Sequence, residues 1–249
     1  MRKPKIAVIG GGTGISVILD SLRKRDVDIS AIVTVADDGG SSGELRKNIQ
    51  YRFADQDGPL AGHPLGNLII AGISEMQGST YNAMQILTKF FHTTGKIYPS
   101  SDSPLTLHAV FTDGVEVAGE SRIADYKGMI DHVYVTNTYD DEKPQASRKV
   151  VQTILDSDMV VLGPGSLFTS ILPNLVIEEI GQALLETKAQ VAYVCNIMTQ
   201  RGETEHFTDA NHVEVLHRHL GQKFIDTVLV NIENVPKDYM NCNKFDEYL

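Results

Sequence analysis

The chain has 249 residues, 42% hydrophobic and 22% charged, with a formal net charge of −10. That length and balance fit a globular α/β domain with a small insert and exclude a low-complexity chain. The acidic excess argues against a general nucleic-acid-binding surface but leaves room for a local basic pocket for phosphate.

After Met1-Arg2-Lys3-Pro4-Lys5, the apolar run at 6–9 is too short for a signal peptide or a membrane span. It reads as a buried strand. It ends in the loop Gly10-Gly11-Gly12-Thr13-Gly14. Ile15, Ile18, Leu19 and Leu22 then fall at helical spacing, with Thr13 or Ser16 as a cap. Residues 29–35 form a second apolar strand, so the chain opens as a right-handed βαβ unit. Glycines let backbone approach a ligand, and a helix N-terminus offers free N–H groups and positive dipole charge. The loop departs from G-x-G-x-x-G, whose third glycine would fall at Ile15, and it lacks the Lys-Ser/Thr of a P-loop. It reads as a nonstandard phosphate contact or as a tight strand-to-helix turn.

The second strand runs into Asp37-Asp38-Gly39-Gly40-Ser41-Ser42-Gly43 at the same sheet edge. An acid there can meet a ribose hydroxyl, and paired acids can hold a divalent metal such as Mg on phosphates. An Asx turn with solvated carboxylates is the alternative. Gly39, Gly40, Ser41 and Ser42 can form a backbone anion nest. Residues 65–73 and 81–91 look helical. The motif Gly62-His63-Pro64-Leu65-Gly66-Asn67-Leu68 offers His63 as an acid–base group or a helix-start hydrogen bond, with Asn67 beside it. Residues 106–112 and 115–120 alternate around Asp113-Gly114, a hairpin signal within an antiparallel insert placed around 97-135.

Residues 146–155 read as a helix and 159–162 as a strand ending in a second loop, Gly163-Pro164-Gly165-Ser166. Ser166, Thr169 and Ser170 place hydroxyls at the helix start that follows; a rigid capped turn is the alternative. A helix at 175–185, a strand at 191–195, a helix at 212–220 and a strand at 225–230 complete the pattern. After 191–195, Asn196, Thr199, Arg201 and Glu203 reach the same edge, unless the segment is simply an exposed polar loop. Arg201 could pair with a phosphate. The predicted fold class is α/β: a doubly wound, mostly parallel Rossmann-like sheet with a small antiparallel appendage, one domain over 1-249. Cys195 and Cys242 make no disulfide framework, which fits a reducing cytoplasm. His206, His212, His217 and His219 lack zinc-site spacing, and no nucleophile signature appears.

In order, the Gly10–Gly14 loop, the Asp37-Asp38-Gly39-Gly40-Ser41-Ser42-Gly43 loop, the His63–Asn67 motif, Leu162-Gly163-Pro164-Gly165-Ser166-Leu167 and Asn196-Ile197-Met198-Thr199-Gln200-Arg201-Gly202-Glu203-Thr204 resemble the bacterial gluconeogenesis factor family (YvcK-like). That family is related to the 2-phospho-L-lactate transferases of deazaflavin coenzyme synthesis (CofD-like). The five motifs in register cover nearly all of 3–235. The resemblance implies a cytoplasmic, Rossmann-like protein, commonly a homodimer, without membrane insertion or nucleic-acid partner. It implies links to gluconeogenic growth, regulation of cell shape and cell-wall precursor supply, and binding of UDP-sugars, notably UDP-N-acetylglucosamine. Regulatory protein partners are a further expectation. The glycine loops would hold the diphosphate, Thr13 would hydrogen-bond it, Asp37 or Asp38 would meet the ribose or a metal, and Asn196 and Thr199 would orient the rest. The related transferases bind a guanine-nucleotide-activated phospholactate, so a metal-dependent phosphoryl or phospholactyl transferase using Asp37 and Asp38 is the alternative. An NAD-dependent oxidoreductase is disfavoured by the failed fingerprint. Two departures stand out. About one helix and a loop of the family pattern are missing near 48-49, and Arg201 stands where the family often has proline, which removes it from the expected binders.

Overall fold

The computed structural model of the chain describes residues 2–11, 14–36, 65–90, 95–233 and 247–248. The opening unit is β1 (Lys5–Gly10), α1 (Gly14–Leu22) and β2 (Asp28–Val33). Next, α2 (Leu65–Gln77) and α3 (Thr80–Phe90) lead to β3 (Lys96–Pro99). An excursion follows: β4 (Leu105–Phe111), β5 (Glu116–Ala118), α4 (Glu120–Asp125) and β6 (Ile130–Asn137). The chain returns through α5 (Arg148–Leu155) to β7 (Met159–Leu162). A π-helical turn (Leu167–Ile171) runs into α6 (Leu172–Leu175), then α7 (Glu178–Glu186) and β8 (Gln190–Val194). The last elements are β9 (Thr199–Gln200), α8 (Asp209–Leu220), β10 (Thr227–Leu229) and β11 (Glu247–Tyr248).

Six strands form one parallel sheet in the order β10-β8-β7-β1-β2-β3. From β1 the chain winds outward through β2 and β3, then crosses back to lay β7 on the other side of β1 and winds outward again. This reversal beside β1 is the position where doubly wound sheets open a crevice for ligands. The registers keep the strand ends level: Ile9 pairs with Ile32 and with Leu162, and Leu162 pairs with Tyr193. The chain therefore leaves β1, β2, β7 and β8 at one edge of the sheet.

Alternating side chains feed two cores, because successive residues of a strand point to opposite faces. Ala7, Ile9, Ile32, Val160, Leu162 and Tyr193 pack with α5, α6, α7 and α8 on one face. Ile6, Val8, Ile29, Ala31 and Val161 pack with Ile15 and Leu19 of α1 and Met84 of α3 on the other. Burial on both faces makes the strands continuous apolar runs, as parallel strands require. The antiparallel sheet, order β5-β4-β6, joins the larger core through Leu105, Leu107, Ala109 and Phe111, while the intervening β4 residues are only half-buried.

The fold class agrees with the sequence expectation, and several boundaries are corrected, among them the end of α2 at Gln77 and the start of α8 at Asp209. Residues 97–99 of the expected 97-135 insert belong to β3 of the parallel sheet, and the antiparallel sheet runs instead from Leu105 to Asn137. Its third strand, β6, makes it more than a hairpin. The helix expected at 175–185 starts later: Leu175 closes α6, and α7 begins at Glu178. Ile177 adopts an extended backbone (φ −73°, ψ 120°) between α6 and α7, and Glu178 and Glu179 restart the helix with acids at its positive end.

Candidate functional site

The two glycine loops touch each other at the crossover. Backbone hydrogen bonds carry both strand ends into them: Gly163 N–H donates to Ile9 O (2.9 Å), and Thr34 N–H donates to Gly10 O (3.2 Å). A Cβ on Gly14 would lie 2.3 Å from the Pro164 carbonyl oxygen, so α1 begins against the second loop with no room for a side chain. Gly163 has φ 77°, a conformation that side chains resist, and a cis bond joins it to Pro164. These glycines are thus needed for loop-on-loop packing before any ligand is considered. The turn alternative and the ligand alternative are not exclusive.

Side chains from later elements fix the second loop. Asn196, just past β8, accepts the Gly165 N–H through Oδ1 (3.1 Å). Ser166 caps the π-helical turn, its Oγ accepting Thr169 N–H (3.1 Å) and Thr169 Oγ1–H (2.8 Å). Ser166 Oγ in turn donates to Glu203, whose Oε1 also lies 3.4 Å from Thr169 Oγ1. Glu203 is 6% exposed. Burial pushes its carboxyl above the ordinary value, against the opposing pull of hydrogen bonds from Ser166, Thr169 and the Phe168 N–H. On the inner side, the fully buried Asn174 of α6 donates through Nδ2 to Ser170 O (2.8 Å) and approaches Gly10 O (3.5 Å), tying the helix to the first loop. Cys195, at the end of β8, donates its thiol to Asp209 (3.2 Å); burial first, and then Asp209, push it up to about 12, so it is no nucleophile at neutral pH.

Of the residues expected from sequence, Gly10, Gly11, Gly14, Gly163, Pro164, Gly165, Ser166 and Asn196 come together at this edge. Thr199 lies in β9, paired with Tyr248 of β11. Asn67 lies in the first turn of α2. Gly12, Thr13, Asp37, Asp38, Gly39, Gly40, Ser41, Ser42 and His63 lie outside the described residues. Arg201 is exposed. Glu203, expected at this edge, is buried against the second loop, and Asn174 is the addition. Glu203 was visible in the fifth motif as an acid beside a glycine; Asn174 gave no sequence signal. Among the described residues no group of three or more His, Cys, Asp or Glu is placed to hold a metal ion, and no helix is long and apolar enough to cross a membrane. A cleft of about 460 Å³ sits at the amino ends of β8 and β10, and another of about 630 Å³ lies among β6, α7 and α8; neither includes the loops.

Residues 6–50 and 49–248 match the family profile described as 2-phospho-L-lactate transferase CofD. The chain is 72% identical over 276 aligned residues to a putative gluconeogenesis factor of Streptococcus pneumoniae, an alignment covering all of this chain and 85% of that protein. It is 41% identical over 263 residues to the gluconeogenesis factor of Bacillus subtilis, covering 95% of this chain and 81% of that one. The crystal structure of a UPF0052 family member from Bacillus halodurans superposes with a TM-score of 0.89 at 36% identity, covering 100% of this chain and 87% of that one. The pneumococcal alignment needs 276 positions for a chain of 249 residues, so that relative carries residues for which this chain has no counterpart.

Proposed function

Because the chain belongs to the gluconeogenesis factor family of CofD-like proteins, we propose that it is a nucleotide-sugar-binding regulator that takes a ligand like UDP-N-acetylglucosamine. It acts in the cytoplasm, as a homodimer, in support of gluconeogenic growth, cell shape and cell-wall precursor supply. The observation that carries this reading is the contact between the two glycine loops at the crossover beside β1. Two glycine loops and the start of α1 meet there at the carboxyl ends of parallel strands, a setting suited to a diphosphate. The described site side chains are hydroxyls, amides and one buried acid, with a deeply buried thiol behind them. That set binds and orients, and it lacks an activated nucleophile.

The test is a calorimetric titration of the full chain with UDP-N-acetylglucosamine. The expected result is saturable one-site binding with the ligand recovered intact. An absence of heat at millimolar ligand overturns the UDP-sugar assignment. The match to the transferase profile favours a second reading, a metal-dependent transfer of a phosphorus-containing group through Asp37 and Asp38. Consumption of an acceptor in the presence of Mg would support it; no turnover across a broad acceptor panel removes it.

A further inference from the structure

Glu203 does more than its place in the loop network explains, and the inference rests on the phosphate-binding reading above. The carboxyl is buried against the second loop, and its partners are the Ser166 and Thr169 hydroxyls and the Phe168 N–H. From its own turn, Arg201 is exposed and Glu205 accepts the Gly202 N–H (3.5 Å). From the loop and helix start packed against it, Ser166 and Thr169 face it, and neither ionises. No described cation offsets its charge.

The hydroxyl protons can be counted. Ser166 Oγ has two lone pairs, and Thr169 N–H and Thr169 Oγ1–H occupy both. Its own proton goes to Glu203 Oε2. An ionised Glu203 therefore commits Ser166 completely. One proton added to Oε2 reverses the chain. The Glu203 O–H donates to Ser166 Oγ, and Thr169 O–H turns to Oε1, already 3.4 Å away. Ser166 O–H is then free for another acceptor.

We propose that Glu203 is a proton-carrying positioning residue of the Gly163-Pro164-Gly165-Ser166 loop: it takes one proton from solvent when a pyrophosphate group settles on the loop pair, and so releases the Ser166 hydroxyl proton to a phosphate oxygen. The driving force is like-charge repulsion. A phosphate one hydroxyl away from a buried carboxylate favours the neutral acid. The bound-state pKa then exceeds the free-state pKa. Affinity is complete below the free-state value and falls as pH rises from it towards the bound-state value.

The experiment is a carbon-13 titration of the full chain carrying carboxyl-labelled glutamate, free and saturated with UDP-N-acetylglucosamine or inorganic pyrophosphate. Loss of one signal in Glu203→Gln assigns it; Glu203→Asp serves if that variant fails to fold. The expected midpoint lies above about 4.3, the ordinary glutamate value, and moves up with either probe. In parallel, wild-type affinity for the nucleotide sugar, whose diester phosphates stay ionised, falls by up to about tenfold per pH unit across that interval, and Glu203→Gln gives a flat profile. A midpoint unmoved by saturation, or a Glu203→Gln profile matching wild type, overturns the proposal and leaves the nucleotide-sugar reading intact. A shift with pyrophosphate and no binding of the nucleotide sugar supports Glu203 and removes the sugar assignment. Binding of neither probe overturns both.

Discussion

Gly14 and Gly72 look alike in the sequence, each a small residue within an apolar helix, but the structure separates them. A methyl at Gly14 would meet the Pro164 carbonyl at 2.3 Å, whereas nothing lies within 4 Å of one at Gly72. Gly14→Ala is expected to cost about 1–3 kcal/mol, because backbone must move to admit it. Gly72→Ala, on an exposed turn of α2, is expected to gain roughly 0.5–1 kcal/mol by restricting the unfolded chain. Denaturant midpoints of the two variants check both signs, and equal shifts would mean that the loops do not touch. The sequence marked the glycine loops readily, since glycines after an apolar strand have few uses. It did not disclose that the second loop leans on Glu203. Ser166 and Glu203 are far apart in the chain and meet only because β7 and β8 are neighbours. No local spacing records such a pair.

At the scale of elements, α8 carries local signals at both ends, although the sequence reading of 212–220 began it three residues after its Asp209 start. Thr208 and Asn211 form a reciprocal capping box, and Gly221 closes the helix in the left-handed conformation (φ 74°). The link from α8 to β6 was not legible. His219 donates through Nδ1 to Val215 O (2.8 Å) and accepts the Val133 N–H through Nε2 (3.2 Å), which requires the neutral ring. Burial, more than any other influence, holds its pKa below the ordinary value; Arg218 and His132 lower it further, while the Val215 bond and Asp131 oppose. A histidine with a depressed folded-state pKa contributes stability that is present above the unfolded value, about 6.5, and is lost as pH falls through it towards the folded value. The denaturation midpoint of the wild type should therefore drop between about pH 7 and pH 5, and His219→Gln should flatten that slope. An unchanged slope would place the acid sensitivity elsewhere. The short strand β3 escaped sequence reading for another reason. Four residues, one of them Pro99, carry too little alternation to stand out from the insert that follows.

For the whole molecule, the strand–helix alternation was enough to give a doubly wound sheet, because helices on both faces demand apolar strands of the kind at 6–9, 159–162 and 191–195. What alternation could not give is the order of the strands. Only the crossing of the excursion from β3 back beside β1 decides that the two glycine loops are neighbours, and the partners Val8 and Val161 are separated by β2, β3 and the whole of that excursion. Synthesis is vectorial, so β1 emerges long before the strand that will cover its second edge. At about 5–20 residues per second that wait is on the order of ten seconds or more. A nascent chain lacking β7 leaves the apolar strand β1 as an uncovered edge, the kind that recruits chaperones or other chains. Proteolysis of ribosome-bound chains should show resistance appearing in the β1–β2 region only after Leu162 has cleared the exit tunnel; resistance in shorter chains would mean that the first half folds alone. A ligand held between the loops would accordingly act on finished molecules, and its supply would bear on the lifetime of this protein in the cell and leave its birth untouched.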